Sequence, residues 1–243
     1  LAAGRFQAEG CEVEFGRGKA YPPIEFALSD GTRCLLSGKI DRLDGTFDEA
    51  GTRFFRVIDY KTGSAEFSYT DLYYGLKLQL PLYLAAVAAA DDAAHRALPA
   101  GFYYLPVKTP VLEEGLSGEA LLKEVQKAFR LRGVSLKNAE LLEAGGGPSV
   151  APEKGTGVLD PEDFSAVAEF ARRKAAQTAE AVRTGRAETA PYRKCKRDTA
   201  CARCDYASVC GFDPTFGGCT YRSVRTVKAD AFLEEARHET VDE

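Results

Sequence analysis

The chain has 243 residues, 45% of them hydrophobic and 28% charged, enough to bury a full core. Its formal net charge of −4 and pI near 5.5 weigh against a protein that coats nucleic acid by charge alone. They leave room for an acidic site offset by a metal ion or by a basic partner.

In chain order, residues 11–15 and 24–28 are predicted as short strands, parted by Gly16-Arg17-Gly18 and Pro22-Pro23. Residues 33–43 read as a third strand and 54–60 as a fourth. Gly45, Asp48, Glu49 and Gly51 make 44–52 a hairpin loop. Over 70–90, apolar residues recur at Leu72, Leu76, Leu80 and Leu84 with a helical period. Pro81 lies inside that helix as a breaker expected to kink it. Residues 101–107 form a further strand, whose near-continuous apolar run suits burial on both faces. Residues 119–130 read as an amphipathic helix. Gly145-Gly146-Gly147-Pro148 opens a flexible loop reaching about Gly157. Asp160 as N-cap and Pro161 at the first helical position start the last long helix, which ends near Thr184 and Gly185. No internal repeat is found. No apolar run reaches membrane-spanning length, and no charged leader with a cleavage site is seen, so the chain reads as soluble and cytoplasmic. It opens at Leu1 without an initiator, as a piece of a longer protein would.

This order of elements predicts an α/β fold with a mixed central sheet flanked by helices. We divide it into 1–110, the core strands and the helix bearing Gln79; 111–190, a helical continuation with its loop near 145–157; and 191–243, a cysteine-bearing segment and tail.

Gly38-Lys39-Ile40-Asp41-Arg42-Leu43-Asp44, then Val57-Ile58-Asp59-Tyr60-Lys61, place two carboxylates and a lysine at the ends of neighbouring apolar strands. Asp41 and Asp59 can hold a hard cation such as Mg²⁺ or Mn²⁺. That cation would polarise a scissile phosphate and acidify a water. Lys61 returns to the face of Asp59 because strand side chains alternate, and its ammonium can orient the nucleophile or stabilise developing charge. An edge strand of alternating charges also yields Asp-X-Lys, so that triplet by itself decides nothing. Asp44 reads as a loop residue, and Arg42 as a salt-bridge or phosphate contact. Tyr73 and Tyr74 could stack on bases, but core packing is the preferred reading. Arg193, Lys194, Lys196, Arg197 and Arg203 form a basic patch that could follow a phosphate backbone or lie simply solvated.

Four of the seven cysteines fall within residues 195–210. Burial as small hydrophobes suits Cys34 and, less well, Cys11. It does not suit Cys201, Cys204 and Cys210, which lie on a polar, turn-rich stretch in the pattern Cys-X2-Cys-X5-Cys. Without a leader, secreted disulfides are not expected, and close thiolates favour metal. A zinc ribbon would show a second knuckle or nearby histidines, whereas His95 and His238 are remote. Three clustered cysteines and one from elsewhere suit a Cys₄-ligated [4Fe–4S] cluster better.

The Asp…Asp-X-Lys core resembles that of the restriction-endonuclease-like superfamily. With Gln79-Leu80-Pro81-Leu82-Tyr83 and the cysteine pattern, residues from about 12 to 222 resemble RecB-type nucleases, in particular the nuclease domains of AddB-type helicase–nuclease subunits. The resemblance implies a restriction-endonuclease-like fold in which Asp41 and Asp59 bind the metal and Lys61 orients or activates water. Gln79, Tyr83 and Arg42 would meet DNA, the first two also supporting the site. Cys201, Cys204 and Cys210 would be three ligands of a [4Fe–4S] cluster that staples the domain shut, with the fourth ligand far upstream of the core. Cys195 or Cys219 could substitute locally, whereas Cys11 and Cys34 match no ligand of the family. The superfamily often adds an upstream acid, for which Glu9, Glu12 and Glu14 are the nearby candidates. The implied activity is Mg²⁺-dependent cleavage of a DNA strand that an AddA-like, ATP-driven partner delivers during bacterial double-strand-break repair. A stand-alone RecB-type exonuclease of adaptive immunity is an alternative, although the long stretch 107–191 suits the helicase-associated form. A catalytically silent iron–sulfur module that guides DNA is another, against which the intact Asp, Asp and Lys argue.

Overall fold

Runs of β-branched and aromatic residues mark the two central strands of this protein, 53–61 and 98–106. Its structure, a computed structural model, describes residues 5–63, 66–90, 97–107, 110, 114–115, 117–144, 157–186 and 188–241. In chain order come β1 (Gln7–Phe15), the pair β2 (Ile24–Ala27) and β3 (Arg33–Leu36), β4 (Gly38–Phe47) and β5 (Arg53–Lys61). Next are helices α1 (Tyr69–Tyr73) and α2 (Gln79–Ala88), β6 (Leu98–Pro106), α3 (Gly118–Ala128), β7 (Arg132–Leu136), α4 (Ala139–Ala144) and β8 (Val158–Leu159). The long helix α5 (Pro161–Arg183) follows, then β9 (Tyr192–Arg193), α6 (Ala207–Cys210), β10 (Arg222–Ser223) and α7 (Ala229–Val241).

Six strands form one mixed sheet in the order β1-β4-β5-β6-β7-β8. β1 pairs with β4 and β4 with β5 antiparallel, β5 and β6 pair in parallel, β6 and β7 antiparallel, and β7 and β8 in parallel. The parallel pair requires a crossover, which α1 and α2 supply. This is the expected α/β architecture, with a mixed central sheet flanked by helices.

Strand alternation divides the central apolar residues between two faces. Phe55, Val57, Phe102 and Tyr104 enter the main core with Leu80 and Leu84 of α2 and Val167 and Phe170 of α5. Phe54 packs with Phe6 and Leu141, and Ile58 with Tyr103, Leu105 and Leu131, in two smaller clusters. Burial on both faces holds β5 and β6 rigidly, and the end of β5 carries the candidate site. Among the described residues no helix is long and apolar enough to cross a membrane.

Several elements depart from the sequence reading, each for a local reason. The strand expected over 33–43 divides at Ser37: β3 pairs with β2, whereas β4 joins the main sheet and continues through Phe47. Asp44 is therefore a strand residue and not part of a loop. The turn is shorter, with Asp48 Oδ1 accepting from Thr52 N at 2.7 Å. The helix expected over 70–90 is two helices. Gly75, at φ +72°, ends α1 in the left-handed conformation, with Gly75 N donating to Leu72 O and Leu76 N to Asp71 O. That pair of bonds is the Schellman arrangement. Pro81 then falls in the first turn of α2, where its missing N–H has no helical partner to lose, and so it does not break the helix.

Asp160 occupies the cap position of α5, but its carboxylate pairs with Lys137 at 2.9 Å instead of capping. Thr184 and Gly185 close the helix as expected. The sequence pattern does not signal β7, α4, β8 or α7. The expected loop at 145–157 lies, apart from Gly157, outside the described residues, as does His95.

Candidate active site

The site grows from the register of β4 and β5. Arg42 pairs with Ile58, Leu43 with Val57 and Asp44 with Arg56. Continued by one residue, this register sets Asp41 opposite Asp59, and directly opposed residues share a sheet face. Asp41 Oδ2 accepts from the backbone N–H of Tyr60 at 2.9 Å, tying the two strand ends together.

Asp59 is 1% exposed. Lys61, on the same face two residues later, brings Nζ to 2.6 Å from Asp59 Oδ2. This buried oxygen has the Lys61 ammonium as its ion-pair partner. Lys61 Nζ also donates to Gln79 Oε1 at 3.3 Å. Gln79 Nε2 in turn donates to the Tyr83 hydroxyl at 2.7 Å, one helical turn on. The ammonium also faces the ring of Tyr104, 5.4 Å from its centroid. The Schellman turn at Gly75 aims α2 so that its first residue, Gln79, reaches the end of β5.

Burial pushes the Asp59 carboxyl above the usual carboxylate range. Lys61 opposes that shift and the charge of Asp41 adds to it. Burial likewise raises the Tyr83 phenol, with Gln79 opposing and Asp59 and Asp41 adding. Tyr104 is raised further, by burial first and then by Asp59, Asp71 and Tyr83, so its hydroxyl stays neutral. A buried carboxylate that faces a second carboxylate is a poor resting state unless a cation completes the pair. Two carboxylates suit a hard cation that keeps several waters and takes its remaining ligands from a phosphate. The residues therefore fit a divalent metal of the Mg²⁺ kind.

The other candidates lie elsewhere. Arg42 Nε reaches Asp44 Oδ1 at 2.5 Å, and Arg56 Nη2 reaches Asp44 Oδ2 at 2.9 Å. Asp44 and Arg56 are buried, and Arg56 lies 4.4 Å from the centroid of Phe6. Arg42 also faces Tyr60, so its guanidinium is engaged within the domain. Glu9 pairs with Arg53, Glu12 with Lys39 and Glu14 with Lys19. Among the described residues no group of three or more His, Cys, Asp or Glu could hold a metal, so no third acid joins Asp41 and Asp59. Tyr73 stacks on Phe170 at 6.2 Å, and the Tyr74 hydroxyl accepts from Arg225 N, a packing role for both.

The cysteine segment is a loop whose neck is closed by the parallel pairing of β9 with β10. Lys194 Nζ, at the neck, lies 2.5 Å from Oδ1 of buried Asp71, and Thr70 Oγ1 exchanges hydrogen bonds with the backbone of Val227. Of the basic patch, Lys194 is thus ion-paired, Arg193 covers the Tyr221 ring at 4.9 Å, and Lys196, Arg197 and Arg203 are exposed. Cys195, Cys204 and Cys210 are exposed free thiols, and Cys201 and Cys219 are half-buried. The expected convergence of Cys201, Cys204 and Cys210 is not found. In this segment Cys204 N donates to Cys201 O, and Cys210 N to Tyr206 O at the start of α6. Cys204 and Cys210 are exposed, whereas half-buried Cys201 lies beside the Tyr221 hydroxyl. Cys11 is exposed too, contrary to a buried role.

Sequence reasoning does not single out Tyr104 or Asp71. Tyr104 sits in an unbroken apolar run, where only the β5–β6 register, pairing it with Asp59, reveals which face it takes.

A model of the PD-(D/E)XK nuclease superfamily matches residues 1–211 of this chain. The chain is 32% identical over 254 aligned residues to an ATP-dependent helicase/deoxyribonuclease subunit of Alkaliphilus metalliredigens, covering 98% of the chain and 22% of that relative. It is 34% identical over 246 residues to the protein of the same name from Moorella thermoacetica, covering 93% of the chain and 21% of the relative. It is also 34% identical over 234 residues to the one from Caldanaerobacter subterraneus, covering 89% and 20%. The chain thus spans about a fifth of the length of the curated relatives it matches.

Proposed function

Since the chain belongs to the PD-(D/E)XK nuclease superfamily, we propose that it is the metal-dependent nuclease domain of a bacterial, AddB-type helicase–deoxyribonuclease. In this reading it acts in the cytoplasm on double-strand breaks, cutting a single DNA strand delivered by an AddA-like motor partner. The observation that carries the reading is the buried Asp59, on the face of Asp41 and ion-paired with Lys61.

Asp41 and Asp59 would hold Mg²⁺, which supplies Lewis-acid activation of the phosphate and of a water when bound. The remaining work falls to the chain itself. Burial of Asp59 keeps bulk water from its carboxylate, which strengthens each charge interaction at the site. Gln79, locked to Tyr83, holds Lys61 from one side so that its ammonium can align the attacking water and meet charge developing on the phosphate. Tyr83 and Gln79 also line the approach for the strand.

The cysteine loop is read as three of the four ligands of a [4Fe–4S] cluster on donor chemistry, since thiolates suit iron–sulfur centres. The arrangement described above would have to draw together around the metal. Anaerobic reconstitution of the full-length protein should give about four irons per chain. Colourless, stoichiometric zinc would overturn that assignment.

The decisive experiment for the activity is cleavage of single-stranded DNA by the full-length protein with its partner. Asp59→Ala and Lys61→Ala should each lose on the order of a hundredfold or more in rate while keeping the fold. If Asp59→Ala degrades DNA as fast as the parent, the chemistry lies elsewhere.

A further inference from the structure

Lys61 has three neighbours in this site: Asp59 Oδ2, Gln79 Oε1 and the face of the Tyr104 ring. The first belongs to the carboxylate that would hold a metal ion, so the ion pair that holds Lys61 here would weaken when the site is loaded. Gln79 alone is a neutral acceptor at 3.3 Å. Lysine is a compact charge on a flexible stem, and one long hydrogen bond leaves it many orientations. The third neighbour does not change with metal binding.

We propose that Tyr104 is the positioning residue for Lys61, its ring face holding the ammonium in the working direction once Asp59 is engaged by metal. The inference rests on the nuclease reading for its consequence, though not for its geometry. Tyr104 is 4% exposed and sits in β6 directly beside Asp59 in the parallel ladder, so its ring is fixed by the sheet. An aromatic face presents negative charge to a cation, and a buried ring does so more strongly than an exposed one. The ring approaches Lys61 from β6 while Gln79 approaches from α2, and two fixed neighbours restrict the ammonium far more than one. The phenol is neutral because burial and the surrounding acids keep it protonated, so it adds no competing ion pair. The ring face is what matters, and the hydroxyl is dispensable.

The test compares Tyr104→Phe, Tyr104→Leu and replacement of Tyr104 by pentafluorophenylalanine, which keeps the ring shape and reverses the charge of its face. In ¹³C-lysine-labelled chain without DNA, the Lys61 ε-methylene signal, assigned by its loss in Lys61→Arg, should lie upfield from ring shielding. It should stay there in Tyr104→Phe and return to the ordinary position in Tyr104→Leu. In cleavage assays of the full-length protein with its partner, the Phe variant should stay within about twofold of the parent. The pentafluorophenylalanine and Leu variants should lose on the order of tenfold in kcat with KM unchanged. Stabilisation by Mg²⁺ in thermal unfolding should persist in all three, because Asp41 and Asp59 are untouched. Should Tyr104→Leu prove unfolded, the comparison of Phe with pentafluorophenylalanine decides with the aromatic ring kept. Equal rates for those two, or an unshifted Lys61 signal in the parent, would overturn the proposal. An upfield Lys61 signal in a protein that cleaves no DNA would instead overturn the nuclease reading and leave the contact standing.

Discussion

Asp59 combines two demands that oppose each other, since the carboxylate that suits a cation is a burden to the metal-free fold. Its folded-state pKa is raised by burial and by Asp41. Stability from its protonated form is therefore fully present below the ordinary aspartate range and is lost as pH rises through the raised value. At neutral pH without metal, Asp59→Asn should then be more stable than the parent by on the order of 1 kcal/mol, or roughly 2–4 °C in a domain of this size. The difference should shrink on acidification, as the parent's carboxyl also becomes neutral. With Mg²⁺ added, the parent should gain and the Asn variant should not, so the order of their Tm values should close or reverse. Thermal unfolding in EDTA and in Mg²⁺, at neutral and acid pH, measures all four cases. An Asn variant that is less stable in EDTA at neutral pH would mean that the Lys61 ion pair outweighs the burial of charge. Gly133 shows the same dependence on a single atom in a packing role. A Cβ there would meet Phe102 O at 2.0 Å across the β6–β7 pair. Gly133→Ala should cost on the order of 3 kcal/mol in denaturant unfolding by forcing those strands apart.

Among the elements, α1 is short, yet it joins β5 to the cysteine loop. Asp71 in α1 is buried and paired with both Lys77 and Lys194, at 3.2 and 2.5 Å. Removing Lys194 leaves Asp71 with one partner, whereas Asp71→Ala strands two half-exposed lysines at a buried spot. We expect Lys194→Ala to cost about 1 kcal/mol and to raise amide exchange around 192–193 and 222–227 first. Exchange that rises first in β5 or β6 would show that α1 does not carry the neck. Much of this assembly is legible in the chain because its signals are local. Asp59 to Lys61 spans two residues of strand, and Gln79 to Tyr83 spans one helical turn. Asp41 meets Asp59 through a hairpin short enough to fix the register. The division of the 70–90 helix is legible only in retrospect, from Gly75 preceding Pro81. Asp44 is misread because a charged residue near glycines looks like a turn until its buried partner, Arg56, is known. β7 and β8 escape notice because they are short, and their place depends on pairing with β6 and with each other. Tyr104 is visible only through the register of two strands far apart in sequence.

On the scale of the whole molecule, the chain after residue 190 does two different things. Its last helix, α7, is part of the main core: Phe232 is fully buried, 4.8 Å from the centroid of Phe170 and 5.1 Å from that of Tyr69. A sequence reading could not see this, since the three apolar anchors Phe232, Leu233 and Ala236 find their partners in α1 and α5. The cysteine loop between β9 and β10 contributes no residue to that core, and its cysteines are exposed or half-buried. The two parts should therefore respond separately to chemistry and to mutation. Alkylation of the native chain with iodoacetamide should modify Cys204 and Cys210 well before Cys34, whose side chain packs against the core. It should leave the main unfolding transition unchanged, since no core contact is lost. Phe232→Ala should instead cost about 3–5 kcal/mol by leaving a cavity between α5 and α1. Mass spectrometry of the alkylated protein, with calorimetry of both samples, tests the pair together. If alkylation at Cys204 and Cys210 lowers the main transition as far as Phe232→Ala does, the loop is a structural part of the core even without metal.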